Sequence, residues 1–252
     1  MKEKYFSVNE AGCSIRCKLY FNDLKNIRRA VLCGHGFGGH KDNMAGHRFA
    51  EHLLKKHKDM AAVTFDLPCH GDDAKSKLNL ADCDLYIREM NRYVTEHFSP
   101  EGCYYYATSF GGYLVLRYIA LHGDPFRKIA LRCPAVDMYT SITTRIIQSD
   151  EAALLEKNKP VPVGFDRKIR ITSQFLEELK AENIDSLDYH GFADDIFIVH
   201  GTKDEIVSFD FVRSFADRND ILFFPVDNAD HRFKDPRKMD EAINMILEFF
   251  EL

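Results

Sequence analysis

The stretch Tyr104–Gly112, which reads YYYATSFGG, places one serine between an aromatic run and two glycines. The aromatic run is apolar enough for a buried strand, and the YLVLRYIA that follows is typical of a buried helix. A serine on a tight strand-to-helix turn has its hydroxyl held above the end of a sheet. Strand and helix approach closely at such a turn, so the residues two before and two after the serine must be small. Ala107 and Gly111 meet that requirement, and the sequence predicts a nucleophile at Ser109.

A serine nucleophile needs a base, and the base needs an acid that orients it. Asp204 lies in HGTKDEIV, after the apolar run Ile196–His200, and His231 lies in DNADHRF, after the run ILFFPV. Ser, Asp and His thus occur in the chain order of a triad carried on strand-following loops. Because such loops lie at one edge of a parallel sheet, we expect Ser109, Asp204 and His231 to meet there. The rival acids are Glu205, Asp194 and Asp195.

A glycine-rich loop early in the chain is a candidate for part of an oxyanion hole. The apolar run Ala30–Cys33 leads into GHGFGGHKDN, whose glycines allow a close approach to a substrate. In α/β sheets that carry a serine nucleophile on such a turn, the loop from an early strand to its helix supplies one N–H donor. The residue after the nucleophile supplies the other. We therefore expect the backbone N–H groups of Phe37 and Phe110 to face the substrate oxygen. His35 is interpreted as a residue that organises this loop rather than as a base.

Short apolar runs alternate with longer helical patterns along the chain. Several runs are continuously apolar, as expected for strands of a sheet that is covered on both faces. The alternation predicts an α/β fold with a mostly parallel central sheet flanked by helices. The predicted strands are Cys13–Tyr20, Ala30–Cys33, Ala61–Phe65, Tyr104–Thr108, Lys128–Arg132, Ile196–His200 and Ile221–Phe224. The predicted helices are Ala45–Lys58, Leu80–His97, Gly111–His122, Phe209–Ala216 and Pro236–Phe250.

The segment between Pro134 and Asp195 breaks this alternation. It shows no clear buried strand, but it contains two helical patterns, Ser141–Lys157 and Thr172–Ala181, separated by the turn PVPVGF. A loop of this length is improbable in a compact domain. We therefore predict an inserted helical cap, or lid, at residues 135–194, packed over the C-terminal edge of the sheet. Residues 1–134 and 195–252 then form the core domain.

Composition excludes several classes of function. The formal net charge of −5 argues against a general nucleic-acid binder, because phosphate contacts need clustered Lys and Arg. The N-terminus lacks the apolar core of a signal peptide, and no run approaches the roughly 20 apolar residues that span a bilayer. The seven cysteines are scattered without a CxxC pair and suit buried thiols in a reducing cytoplasm. We expect a cytoplasmic protein without membrane insertion. No metal site is expected among His40, His47, His52 and His57.

Together these motifs resemble the α/β-hydrolase superfamily over nearly the whole chain. Within it, HGFGGHKDN, TFDLPCHGDD, ATSFGG, HGTKDEIV and DHRF are most similar to bacterial carboxylesterases of the cinnamoyl/feruloyl esterase type. They are also similar to serine aminopeptidase-like and monoacylglycerol-lipase-like hydrolases. The resemblance implies ester hydrolysis through an acyl-enzyme on Ser109, under a mobile cap and without a cofactor. Ala107 departs from the usual G-x-S-x-G. Asp66 and His70 are interpreted as residues that tie loops together.

The substrate expected from this resemblance is a small to medium acyl or aryl ester, with a hydroxycinnamoyl ester among the candidates. A serine peptidase or amidase, a thioesterase and an acyltransferase could use the same triad, and a hydrolase-fold protein that only binds its ligand is the alternative from another class. A peptidase needs a carboxylate for the amino terminus of its substrate. The candidates for that carboxylate in the cap are Asp150, Glu151 and Glu156. An exposed apolar edge of the cap could support a homodimer.

Overall fold

The computed structural model describes residues 1–165 and 167–252. Ten strands and eight α-helices lie in this part of the chain. The strands are β1 Lys2–Glu10, β2 Cys13–Phe21, β3 Arg29–Gly34, β4 Met60–Phe65, β5 Tyr104–Thr108, β6 Ile129–Arg132, β7 Val161–Val163, β8 Ile169–Ile171, β9 Ile196–Gly201 and β10 Leu222–Val226. The helices are α1 Met44–Lys56, α2 Leu80–Phe98, α3 Phe110–His122, α4 Met138–Ser141, α5 Ser149–Glu156, α6 Ser173–Ala181, α7 Phe209–Arg218 and α8 Pro236–Phe249.

Eight strands form one mixed sheet in the order β1-β2-β4-β3-β5-β6-β9-β10. β1 pairs with β2, and β2 with β4, in antiparallel fashion, whereas the other five pairs are parallel. The predicted mostly parallel sheet is therefore confirmed. Because six neighbouring strands run in the same direction, the loops that follow β3, β5, β6, β9 and β10 emerge at one edge.

Alternate residues of the strands face two separate hydrophobic layers. In β3, Ala30 and Leu32 face the layer that contains α2, α3 and α7, whereas Val31 and Cys33 face the layer that contains α1 and α8. All four side chains are buried. This explains why the central strands read as continuous apolar runs. Helices on both faces complete the α/β architecture that the sequence predicts.

The sequence does not predict β1, and the burial of its residues gives the reason. Only Val8 of its nine residues is buried, so Lys2–Glu10 lacks the apolar signal of the central strands. The strand is nevertheless paired along its length with β2, from Lys2 opposite Phe21 to Glu10 opposite Cys13. This edge strand is formed by backbone hydrogen bonds to β2. Amino-acid composition indicates such pairing only weakly.

The single helix predicted over Ser141–Lys157 is wrong. α4 continues into a π-helical turn, Ile142–Ile146. The helix then ends at Ile147, whose extended ψ is 130°. Within this stretch the hydroxyl of Thr144 donates to the carbonyl oxygen of Thr140, a contact that Thr makes inside helices and that often bends them. A new helix, α5, then starts at Ser149, where Glu151 accepts the backbone N–H of Gln148. The helix predicted over Thr172–Ala181 matches α6.

The segment 135–194 also contains strands that the sequence does not predict. β7 and β8 form a separate antiparallel hairpin, in which Val163 lies opposite Ile169. Each strand has three residues with a buried–exposed–buried pattern, which is too short to stand out from the PVPVGF turn. Elsewhere the segment packs on the core, where Phe175 lies edge-on against Phe110 and Glu182 accepts the hydroxyl of Tyr113 through its carbonyl oxygen. The cap at 135–194 stays a prediction, and these contacts are compatible with it.

Candidate active site

Ser109 lies on the turn between β5 and α3. Its backbone has φ 50° and ψ −116°, a strained combination for a residue with a side chain. Ser109 is the residue that precedes the first turn of α3, but its hydroxyl does not cap the helix. The serine side chain is thus left available for another partner. This is the arrangement that the sequence predicts for a nucleophile on a strand-to-helix turn.

The glycines around Ser109 are required by close backbone contacts. A Cβ atom on Gly111 would lie 2.7 Å from the carbonyl oxygen of His35 and 3.0 Å from the carbonyl carbon of Gly34. A Cβ atom on Gly36 would lie 3.2 Å from Cβ of Ser109. The loop after β3 and the start of α3 can therefore meet only because these positions lack side chains.

His231 joins Ser109 to Asp204. Its Nε2 lies 3.0 Å from Oγ of Ser109, and its Nδ1 lies 2.7 Å from Oδ2 of Asp204. Because a carboxylate only accepts, Nδ1 carries the ring proton and Nε2 is left to accept the serine hydroxyl. The His231 side chain is 13% exposed, so it is reachable from solvent but mostly enclosed. Three residues far apart in sequence thus form one chain of hydrogen bonds.

Asp204 is held by four neighbours. Its Oδ1 accepts the backbone N–H groups of Ile206 and Val207, at 2.9 and 2.8 Å. Its Oδ2 contacts the rings of His231 and His200, at 2.7 and 3.2 Å. Burial raises the pKa of the Asp204 carboxyl, but the contacts with the two histidines lower it by more, so the net pKa lies well below the ordinary value. Asp204 is therefore a buried carboxylate that stays charged.

The rival acids lie elsewhere. Glu205 reaches His231, but it accepts the backbone N–H at 3.2 Å rather than a ring nitrogen. Asp194 and Asp195 lie in the short helix His190–Asp195, which precedes β9 and so sits at the opposite end of that strand from Asp204. Of the four acids considered from the sequence, Asp204 is the one in contact with the imidazole ring.

Phe37 lies in the loop after β3, and Phe110 is the first residue of α3. The two phenylalanine rings are in edge contact, with centroids 5.8 Å apart. Among the described residues, neither N–H group donates to a backbone or side-chain acceptor. Phe110 is buried and Phe37 is partly buried, so two N–H groups without a protein acceptor near Ser109 are compatible with a site that binds an oxygen of a ligand. Their role as an oxyanion hole stays a prediction.

The residues assigned from the sequence to loop organisation do connect loops. His35 accepts the N–H of Leu67 at Nε2 and donates from Nδ1 to the carbonyl oxygen of Gly36, at 3.1 and 2.8 Å. Burial lowers the pKa of His35 well below its ordinary value, which favours this neutral form. Asp66 accepts the backbone N–H groups of Lys41 and Asp72, at 2.7 and 2.8 Å. The loops after β3 and β4 are thereby joined beside the turn of Ser109.

His70 is fully buried between the same loops. Its ring lies edge-on to Phe37 and stacked on Phe110, with centroids 5.6 and 6.2 Å away. Nδ1 donates to the carbonyl oxygen of Pro68. Burial lowers the pKa of His70 to about 4. His70 therefore packs against both residues of the predicted oxyanion hole as an uncharged ring.

Sequence reasoning missed Arg132, which reaches both Ser109 and His231. The guanidinium donates to the carbonyl oxygen of His231 at 2.9 Å, and the Arg132 carbonyl oxygen accepts the N–H of Ser109 at 3.1 Å. The side chain is buried, with the ring of Phe233 beneath it and the hydroxyl of Tyr106 beside it. A buried cation is costly, so it needs several such partners. An arginine at the end of an apolar strand gives no signal of this role in the sequence.

Asp204 and two buried residues behind it, Cys133 and His200, have side chains of the types that bind metals. Ligand atoms of Cys133, His200 and Asp204 all lie within 4.8 Å of one another, the one such cluster found among residues 1–165 and 167–252. Burial raises the pKa of the Cys133 thiol well above its ordinary value, so it stays protonated. The Asp204 oxygens are already shared among four donors. We therefore interpret this cluster as support for Asp204 rather than as a metal site.

The cap acids considered for a peptidase have different surroundings. Glu151 is buried and binds the backbone N–H of Gln148 and the ammonium group of Lys168, at 2.9 and 3.0 Å. Asp150 and Glu156 are exposed on α5. Glu151 thus acts as a helix cap and ion-pair partner and is not free to bind the amino terminus of a peptide.

Over the described residues, no helix is both long and apolar enough to cross a membrane.

Comparison with known proteins matches residues 29–163 to a family described as having the alpha/beta hydrolase fold. No curated protein matches the chain significantly. Est1E from Butyrivibrio proteoclasticus with bound ferulic acid is 16% identical, with a TM-score of 0.78 over 98% of this chain and 100% of that chain. A soluble variant of monoglyceride lipase from Saccharomyces cerevisiae is 15% identical, with a TM-score of 0.74 over 100% of this chain and 95% of that one. Mouse alpha/beta hydrolase domain-containing protein 10 is 14% identical, with a TM-score of 0.72 over 98% of each chain. At these identities the similarity concerns the fold.

Proposed function

The chain belongs to the alpha/beta hydrolase fold family, and we propose that it is a serine carboxylesterase with Ser109, Asp204 and His231 as its catalytic triad. Membership of this family supports hydrolase chemistry. The observation that carries the proposal is the hydrogen-bonded chain from Ser109 Oγ through His231 to Asp204, with contacts of 3.0 and 2.7 Å. An ordinary serine at the start of a helix would use its hydroxyl as a cap, whereas this one contacts an imidazole.

The reaction follows from the positions of these atoms. Oγ of Ser109 attacks the ester carbonyl carbon while Nε2 of His231 takes the hydroxyl proton, and Asp204 stabilises the imidazolium that forms. The N–H groups of Phe37 and Phe110 are the proposed donors to the oxyanion. His231 then gives its proton to the leaving alcohol, and the acyl-enzyme remains on Ser109. Water attacks that ester with His231 again as the base, which releases the acid and restores the serine.

The substrate class that we propose is a small to medium ester with an acyl or aryl acid part, including hydroxycinnamoyl esters. Two kinds of support exist for it. The sequence motifs resemble those of cinnamoyl/feruloyl esterases, and the fold is similar to that of Est1E, whose structure holds ferulic acid. An aminopeptidase has less support. It needs a free carboxylate for the amino terminus of its substrate, whereas Glu151 is already bound to Lys168 and to the N–H of Gln148.

A series of p-nitrophenyl esters from acetate to laurate, with methyl ferulate alongside, tests this proposal. We expect the wild-type protein to hydrolyse at least one of them, and Ser109→Ala to lose about 10⁶-fold in kcat, as triads act as a unit. The preferred chain length would then measure the acyl pocket, and the rate on methyl ferulate would separate an aryl ester preference from an alkyl one.

A folded wild-type protein that turns over none of these esters would contradict the esterase. Aminoacyl amides and acyl thioesters would then be the next substrates, since the same triad can cleave both. A protein that turns over none of the three classes would be a binding protein on a hydrolase fold.

A further inference from the structure

His200 is a fully buried histidine whose Nε2 lies between two acceptors. Nε2 is 3.2 Å from Oδ2 of Asp204 and 3.3 Å from the carbonyl oxygen of Val207. Because neither neighbour can donate, Nε2 carries the ring proton; it donates to the carbonyl oxygen of Val207 and presents the same N–H dipole to Oδ2 of Asp204. Nδ1 has no hydrogen-bond partner among the described residues. A second proton there would be buried without an acceptor, so the ring acts as a donor through Nε2 alone.

Aromatic contacts hold the His200 ring in this direction. The ring of Phe209 lies edge-on to it at 5.9 Å, and the ring of Phe223 lies stacked at 6.3 Å, both measured between centroids. His200 is also the residue next to the end of β9, where backbone pairing with β10 fixes its position opposite Pro225. The donor is therefore preorganised rather than free to rotate.

We propose that His200 is a positioning residue that fixes the Asp204 carboxylate and, through it, the ring of His231. The two backbone N–H groups bind Oδ1 alone, so the fine position of Oδ2 depends on the groups that contact it. His200 and His231 both contact Oδ2, at 3.2 and 2.7 Å. Its bond to the Val207 carbonyl ties the same ring to the loop that carries Asp204. This inference rests on the proposed serine-hydrolase function.

The loss of the His200 donor has a predictable effect on the pH dependence. Without the His200 donor at Oδ2, more negative charge faces the imidazole, and the imidazolium that forms on proton uptake is stabilised. The acid limb of the rate profile should therefore move to higher pH, by roughly half a pH unit for one hydrogen bond. Charged or titratable groups that face the pair include Arg132 at the end of β6, Cys133 directly after it and Glu205 in the loop after β9.

Two amide variants separate the hydrogen bond from the packing. In His200→Gln the amide nitrogen can occupy the place of Nε2 and still donate to Asp204, whereas in His200→Asn the shorter side chain places it near Nδ1. The readout is the rate constant for labelling of Ser109 by a fluorophosphonate, measured from pH 5 to 9. In that step Oγ attacks phosphorus, fluoride leaves and His231 takes the proton, so no ester substrate has to be known.

We expect His200→Gln to label within about threefold of the wild-type rate. We expect His200→Asn to lose about tenfold or more, as misplaced catalytic groups do, with its acid limb at higher pH. In an Asp204→Asn background the same His200→Asn change should cost less than about twofold, because a residue that acts through Asp204 has nothing left to position. Thermal unfolding of each variant checks that it is folded.

Three results would overturn the inference. Folded Gln and Asn variants with the same rate and the same acid limb would show that the hydrogen bond does not matter. A tenfold loss that persists in the Asp204→Asn background would indicate a packing role instead. A wild-type protein that does not label at all would refute the proposed function and this inference together, and it is distinguishable from the other two results by that single control.

Discussion

His231 contacts Asp204 through its ring, with Nδ1 2.7 Å from Oδ2, whereas the adjacent Glu205 reaches only the backbone N–H of His231. Two neighbouring acids therefore have different tasks. Asp204 determines which ring nitrogen carries the proton and so leaves Nε2 free to accept from Ser109. Glu205 accepts a backbone N–H and so helps to hold the loop that carries His231.

Asp204→Asn should lower kcat on an ester by roughly 10³–10⁴, because an amide in this place no longer enforces the correct tautomer of His231. Glu205→Gln is the matched control, since it removes a charge one residue away and should cost no more than about tenfold. Steady-state kinetics on the best p-nitrophenyl ester measures both. Equal losses in the two variants would mean that the orienting acid is misassigned.

The stability of the protein should depend on the ionisation of Asp204. Its pKa in the folded state is lowered, since the contacts with His231 and His200 outweigh the effect of burial. A lowered pKa contributes stability that is present above the unfolded value of about 4 and is lost as pH falls towards the folded value. The difference in Tm between wild type and Asp204→Asn should thus be largest near pH 7 and shrink below about pH 4. A difference that stays constant from pH 7 to pH 3 would be inconsistent with this assignment.

Gly111→Ala should destabilise the turn that carries Ser109. The added Cβ would lie 2.7 Å from the carbonyl oxygen of His35, a backbone atom that cannot move without shifting the loop. Overpacking of this kind costs about 1–3 kcal/mol, and each kcal/mol lowers Tm by roughly 2–4 °C in a chain of this size. Gly191→Ala is the control, because its Cβ would meet nothing within 4 Å. Equal Tm values for the two variants would refute the close approach.

The central sheet could be predicted because its strands are buried on both faces. Met60–Phe65 consists of six buried residues, and such a run stands out from the sequence. The hairpin of Val161–Val163 with Ile169–Ile171 could not be predicted, since two buried side chains per strand are no stronger a signal than a loop gives. The helical path stops at Ile147 and α5 starts anew with Glu151 accepting the backbone N–H of Gln148, a local contact that apolar periodicity does not register.

Some residues of the candidate site could likewise be predicted from the sequence, and others could not. Ser109 and His231 follow recognisable strands, and their residue types occur in the chain order of a triad. The motifs therefore predict them. Arg132 and His200 lie at or near the ends of apolar strands. A single polar residue in such a run does not indicate which groups it contacts. Their role depends on what they touch in three dimensions, namely the carbonyl oxygen of His231 and the carboxylate of Asp204.

The most direct test of the central claim is the reaction of the purified protein with a fluorophosphonate, followed by intact mass measurement and peptide mapping. We expect one adduct per chain, located on Ser109, and no adduct on a folded Ser109→Ala variant, because only a serine with a base in contact is activated. An unlabelled wild-type protein, or equal labelling of Ser109→Ala, would contradict the claim that Ser109 is an activated nucleophile.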